Sequence, residues 1–230
     1  MADALKIGIA GLGTVGASLV RVLQTRANML AVACGRPIVV TAVSARDRSR
    51  DRGIDLSTAK WYDDAVEMAR HADIEVFVEL MGGSGDPAYA AVQAALSRGL
   101  HVVTANKALL AKHGVELATI AEDKGAILNF EAAVAGGIPV IKALRESLTG
   151  NTVSRVYGIM NGTCNYILTK MEKEGLSFAA CLAEAQRLGY AEADPAFDIE
   201  GNDTAHKLSI LTTLAFGTKI AADDIYLEGI

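Results

Sequence analysis

Leu5-Lys6-Ile7-Gly8-Ile9-Ala10-Gly11-Leu12-Gly13-Thr14-Val15-Gly16 is the stretch whose reading decides the fold. Its first six residues have the apolar character of a short buried strand. A GxGxxG turn follows at once, and the apolar periodicity then becomes helical from about Val15 to Val32. The glycines serve separate physical ends. The first allows a tight turn, the second lets backbone approach a pyrophosphate, and the third lets helix pack on strand. The helix start offers free N–H groups and partial positive charge to phosphate. Gly11, Gly13, Thr14, Val15 and Gly16 are therefore candidate cofactor-binding residues. An ordinary strand–turn–helix corner is the alternative.

Outward from this turn, strand patterns recur at Ile38–Ser44, Ile74–Leu80, His101–Thr104 and Ala126–Phe130. Helical patterns fall after Pro87 and after Lys107. Alternating strands and helices predict a parallel, doubly wound sheet, a Rossmann-type dinucleotide-binding domain over residues 1–150. After about Gly150 the pattern changes. Val153–Met160 reads as a strand, then helices follow at Asn161–Lys173, Phe178–Leu188 and Asn202–Phe216. Residues 151–230 are thus expected to form a second, α+β domain.

Composition narrows the function classes. A 51% hydrophobic content supports a packed core, and a net charge of −5 argues against a general binder of nucleic acid or anionic membrane. No apolar run reaches membrane-spanning length. Cys34, Cys164 and Cys181 are scattered and odd in number, which predicts a reducing, cytoplasmic setting. His71, His101, His113 and His206 lack metal-ligand spacing.

Cofactor choice turns on Ser44-Ala45-Arg46-Asp47 at the end of the second strand. Arg46 suits the 2′-phosphate of NADP, whereas Asp47 keeps NAD open. Lys107 lies at the carboxyl end of a strand, on the rim where open α/β sheets bind ligands. Glu131 precedes a glycine-rich turn ending at Pro139. It suits either an oxygen site for a hard cation or a cap on the turn.

The second chemical signal is Gly189–Lys207. Glu192, Asp194, Asp198, Glu200 and Asp203 are its acids, and no base appears until His206 and Lys207. Asp203 and Lys207 are spaced i,i+4 and share a helix face. That pattern suits a small zwitterion, with acids for its ammonium and a lysine for an oxygen. A capped helix with a solvated ion pair is the bland alternative.

Together these blocks resemble homoserine dehydrogenase. The match runs through Gly11–Gly16, Thr104-Ala105-Asn106-Lys107, Glu131–Pro139, Asn161-Gly162-Thr163 and Gly189–Lys207. The resemblance implies NAD(P)H-dependent reduction of L-aspartate 4-semialdehyde to L-homoserine, a step toward threonine and methionine. It implies that Lys207 donates the proton with Asp203 beside it, and that Glu192 binds the substrate amino group with Tyr190, Asp198 and Thr163. Thr104, Lys107 and Gly189 would border the nicotinamide, and Glu131, Val134, Gly136 and Ile138 would hold a monovalent cation, sodium. A homodimer is implied if the second domain is complete. The family's second domain continues past the equivalent of Ile230, so the α+β domain is expected to be incomplete. Another amino-acid dehydrogenase, or an NAD(P)-binding fragment impaired in catalysis, are the competing readings.

Overall fold

The apolar runs pair side by side because buried backbone must find hydrogen-bond partners. The computed structural model describes residues 3–230. In chain order the first elements are β1 (Leu5–Ala10), α1 (Thr14–Thr25), α2 (Ala27–Cys34), β2 (Ile38–Ser44), β3 (Lys60–Tyr62) and α3 (Ala65–His71). They are followed by β4 (Val76–Glu79), α4 (Ala88–Ser97), β5 (His101–Thr104), α5 (Lys107–Asp123), β6 (Leu128–Asn129) and α6 (Glu131–Val134). All the strands are parallel, in the order β3-β2-β1-β4-β5-β6. The chain leaves β1 toward one edge and returns with β4 on its other side. That reversal makes the carboxyl ends of β1 and β4 a topological switch point, where ligands of such sheets bind.

The glycine turn sits at this point. Gly11 has φ of 99°, and a Cβ there would lie 2.4 Å from the Leu80 carbonyl oxygen. A Cβ on Gly16 would lie 2.0 Å from the Gly11 carbonyl oxygen. Beside Gly13 there is open space. The first and third glycines are thus demanded by packing, and the second leaves room for something else. Ile7, Ile9, Leu12, Val20, Val43 and Val78 form the core beneath, joined by Leu19, Leu23 and Trp61.

Three expectations need correction here. The helix expected to run unbroken from Val15 to Val32 is two helices, because Arg26 leaves helical geometry at φ −115° and ψ 20°. The short strand β3 and the helix α3 add to the expected elements; β3 offers three residues, too few for a periodic signal. The strand expected at Val153–Met160 does not form, since among the described residues nothing pairs with it. Its backbone stays irregular and exposes Tyr157 and Ile159. Apolar alternation signals which side chains suit burial, but a strand also needs a neighbour.

The compact units divide between Gly137 and Ile138, ahead of the boundary expected near Gly150. The helical segment after Pro139, α7 (Val140–Lys142) continuing into a wider turn at Ala143–Ser147, packs with the second unit's last long helix. That unit otherwise contains α8 (Gly162–Glu174), α9 (Phe178–Arg187), α10 (Ala196–Ile199) and α11 (Asn202–Phe216). Its core gathers Ile167, Cys181, Ala185 and Ala191 with Tyr166, Phe178, Leu182 and Ile199.

The glycine geometry predicts a sharp contrast. Gly16→Ala forces backbone apart and costs about 2–4 kcal/mol. Gly13→Ala meets no atom and costs less than about 1 kcal/mol. Thermal unfolding of the two variants measures the difference.

Candidate active site

In the second unit, helix geometry does the first part of the assembly. Asp203 opens α11, where a carboxylate is favoured by the helix N-terminus. Lys207 is one turn later, and its Nζ lies 2.8 Å from Asp203 Oδ2. The same ammonium donates to the Met160 carbonyl at 2.8 Å. The pair is no solvated surface bridge: the side chains are only 18% and 5% exposed for Lys207 and Asp203. A cation and an acid held this far from water interact more strongly than surface partners, provided their remaining hydrogen bonds are met.

Asn161 meets them. Its Oδ1 accepts from Cys164 N at 2.8 Å and caps α8. That fixes the amide orientation and leaves both Nδ2 hydrogens free to donate. They go to Asp198 Oδ1 and Asp203 Oδ2, each at 2.9 Å. One neutral amide therefore bridges two carboxylates that would otherwise repel each other. The Thr163 hydroxyl lies 3.0 Å from Asp198 Oδ2 and 2.8 Å from the Tyr190 carbonyl, and its single proton serves one at a time. Burial first, then the Asp198 and Asp203 charges, pushes the Cys164 thiol up. Both effects disfavour the thiolate, the form a nucleophilic cysteine needs.

These groups face a cavity of about 710 Å³, lined by Asn161, Thr163, Tyr190, Asp198, Asp203 and Lys207 among others. Tyr166 and Tyr190 close one side, with ring centroids 5.0 Å apart. The rest of the lining is mostly polar or charged, Lys170, Lys173 and Glu174 included, and convergent polar groups of this kind suit a small charged ligand. Five of the expected substrate and catalytic residues thus come together. Glu192 does not join them: it is exposed and outside the cavity lining, and its backbone carbonyl accepts from Gln186. Gly189 also lies outside the lining and takes a left-handed conformation after α9.

In the first unit, Thr14 and Val15 begin α1, and both are exposed beside the open space at Gly13. Lys107 begins α5, directly after its cap Asn106. Arg46 is exposed just past β2. Asp47 is committed locally, since its Oδ1 accepts from both the backbone and the hydroxyl of Ser49, at 2.8 and 2.7 Å. Those bonds hold its carboxyl below the usual range. Arg52 carries no signal of its own in the sequence. Its guanidinium donates to the Leu12 carbonyl in the glycine turn at 3.0 Å and lies 5.8 Å from the Trp61 ring centre. It ties the loop after β2 to that turn. Glu131 and Val134 bound the short α6, with Gly136 next; Ile138 opens the second unit. Among the described residues, no cluster of three or more His, Cys, Asp or Glu is placed to hold a metal.

A dinucleotide-type sheet in one unit and a lysine–carboxylate cavity in the other define a two-unit protein of the Rossmann class with a polar small-molecule cavity. Comparison with known proteins makes this particular. Residues 11–131 match the homoserine dehydrogenase NAD-binding domain, and residues 139–230 match the homoserine dehydrogenase domain that follows it. The chain is 49% identical over 226 residues to homoserine dehydrogenase of Neisseria gonorrhoeae, covering 98% of this chain and 52% of that one. The Pseudomonas aeruginosa enzyme is 50% identical over 228 residues, with 98% and 51% covered. Among solved structures, homoserine dehydrogenase from Thiobacillus denitrificans superposes with a TM-score of 0.91 at 45% identity, covering 99% of this chain and 52% of that one. A hyperthermophilic archaeal homoserine dehydrogenase in complex with NADPH gives 0.81 at 29% identity, covering 94% and 71%. The chain belongs to the homoserine dehydrogenase family, and its first unit is that family's NAD-binding domain. It spans about half the length of the curated relatives it matches.

The Asn161 bridge yields a stability prediction. Asn161→Ala removes the α8 cap and the amide hydrogens given to half-buried Asp198 and buried Asp203, and costs about 2–4 kcal/mol. Asn161→Ser keeps a cap acceptor and costs about half as much. Denaturant unfolding of both variants checks the order.

Proposed function

We propose that this chain carries the cofactor and substrate sites of a homoserine dehydrogenase, acting reversibly between L-aspartate 4-semialdehyde and L-homoserine with NAD(P)H. The observation that carries the reading is the Lys207 ammonium, held 2.8 Å from Asp203 in the cavity that Asp198 and Thr163 line. The nicotinamide supplies the hydride. What the chain must add is a proton and a field. Negative charge develops on the aldehyde oxygen, and an adjacent ammonium stabilises it and delivers the proton. Asp203 and the Met160 carbonyl aim that ammonium. Asp198, with Thr163 and Tyr190, is suited to the substrate's α-ammonium. Glu192 is assigned the same ligand by resemblance, and to serve it must move or meet a group outside this cavity. Thr104, Lys107 and Gly189 are assigned to the nicotinamide end by the same resemblance, and Thr104, buried at the end of its strand, serves it only from beneath the surface.

The cofactor half of the proposal favours NADP. Asp47 is occupied by Ser49, which leaves Arg46, beside Arg48 and Arg50, as the charge suited to a 2′-phosphate. The Glu131, Val134, Gly136 and Ile138 segment brings one carboxylate and several backbone carbonyls. That donor set suits a hard monovalent ion such as sodium and not a transition metal. A homodimer, on condition that the second domain is complete, belongs to the same proposal.

A second reading is favoured by one observation, Glu192 lying exposed and outside the cavity lining: this chain binds cofactor but turns over slowly or not at all. One assay separates the readings. NADPH oxidation is followed with aspartate semialdehyde, and separately with oxaloacetate plus ammonia, beside a direct NADPH titration. Turnover with the semialdehyde alone supports the proposal. Binding with no turnover supports the second reading, and turnover with oxaloacetate plus ammonia overturns the substrate assignment. Lys207→Ala is expected to lower kcat by about 10²–10⁴-fold with NADPH affinity unchanged. Arg46→Ala is expected to weaken NADPH by about tenfold, roughly 1.4 kcal/mol, while NADH affinity holds. Stopped-flow turnover and fluorescence titration measure these.

A further inference from the structure

Glu79 ends β4 at the switch point, and it is fully buried. A buried carboxylate is costly unless donors satisfy it. Glu79 Oε1 accepts from the backbone N–H groups of Met81 and Gly82 at 2.7 and 3.1 Å. Its Oε2 accepts from the Thr104 hydroxyl at 2.6 Å. All three donors are neutral, so this is no buried salt bridge. Thr104 ends the neighbouring strand in register with Glu79, and it is 1% exposed. Its proton is given to Glu79, and its oxygen accepts from Asn106 N at 3.0 Å. Asn106 Oδ1 caps α5 through Leu109 N at 3.1 Å, and its Nδ2 donates to the Gly83 carbonyl at 2.7 Å. The path is closed: from Glu79 through the 81–83 loop to Asn106, then Thr104, then Glu79 again.

The loop that this ring holds needs holding. Gly82 and Gly83 are consecutive left-handed glycines at φ 80° and 85°, and a Cβ at either would meet no atom. Such a segment gains little from packing and gives up much backbone freedom when ordered. The preceding residue abuts the glycine turn, since Leu80 N donates to the Ala10 carbonyl at 2.7 Å. The clamped loop and the start of α5, with Lys107, are therefore two sides of one rim at the sheet's ligand-binding edge.

We propose that Glu79 and Thr104 are positioning residues for the dinucleotide cofactor. Their buried hydrogen-bond ring locks the Met81–Gly83 loop to the N-terminus of α5 and so presents a preformed rim to the nicotinamide half. Thr104 then acts through Asn106 and the loop rather than by touching cofactor, because it is buried and its only proton is given to Glu79. This inference rests on the reading of the first unit as an NAD(P) site. Preorganisation of this kind shows in affinity, since a disordered rim must be ordered at the moment of binding.

The test uses this chain with NADPH as the probe, and two readouts: fluorescence titration, and amide hydrogen exchange at Met81 and Gly82. Thr104→Val removes the hydroxyl and keeps the branched shape, and is expected to weaken NADPH by about tenfold or more. Thr104→Ser restores the hydroxyl and is expected to bind within about threefold of the unaltered chain. Asn106→Ser keeps a helix-capping acceptor but is too short to reach the Gly83 carbonyl, so it separates clamp from cap. It is expected to weaken NADPH by about tenfold with an unchanged melting temperature. Both Thr104→Val and Asn106→Ser should speed exchange at Met81 and Gly82 by about tenfold or more. The proposal is overturned if folded Thr104→Val and Asn106→Ser bind NADPH within about twofold of the unaltered chain, or if exchange is unchanged. If Thr104→Val does not fold, Asn106→Ser decides. If the unaltered chain binds no NADPH, the cofactor reading itself fails, and exchange still decides whether the ring locks the loop.

Discussion

A primary ammonium fixed between a carboxylate and a backbone carbonyl is the interaction on which the functional account depends. Lys207 has four flexible carbons and would scatter widely at a surface. Here two acceptors at 2.8 Å hold its nitrogen, and one of them, Asp203, is itself held by Asn161. The lysine's position is thus set by α11, by the α8 cap and by the residue before that cap. A proton donor needs placement before it needs acidity. The surrounding polar groups supply that placement without leaving the two aspartates to repel each other.

The two units follow one design. In each, an asparagine caps a helix with its oxygen and spends its nitrogen on a distant partner. Asn161 reaches Asp198 and Asp203, and Asn106 reaches the Gly83 carbonyl. Capping fixes which end of the amide is donor, so the second bond is directed and not left to chance. Ser or Asp caps a helix equally well, and neither can offer two amide hydrogens.

Local signals are legible in the sequence, and long-range ones are not. The glycine turn, its flanking strand and helix, and the extent of α11 follow from periodicity and from residues at fixed short spacing. Asp203 and Lys207 stand out because four residues make one helical turn. Asn161 is visible only as the start of a motif, since its acids lie 37 and 42 residues away. Glu79 reads as the polar end of an apolar strand, although an acid closing a run of buried residues is a usable hint. Val153–Met160 has a strand's pattern without being one, because alternation reports side-chain preference and says nothing of a pairing neighbour. Glu192 groups with the other acids by sequence proximity, yet the chain turns between Tyr190 and Asp198 and leaves it outside the cavity.

Chemical rescue tests the central claim most directly. The side chain at 207 is shortened to alanine, and NADPH oxidation by aspartate semialdehyde is measured while small primary amines are added. The account predicts that turnover returns in proportion to amine concentration, because a free ammonium can occupy the space between Asp203 and the Met160 carbonyl. If cofactor still binds and no amine restores any rate, the proton does not come from this position, and the account is contradicted.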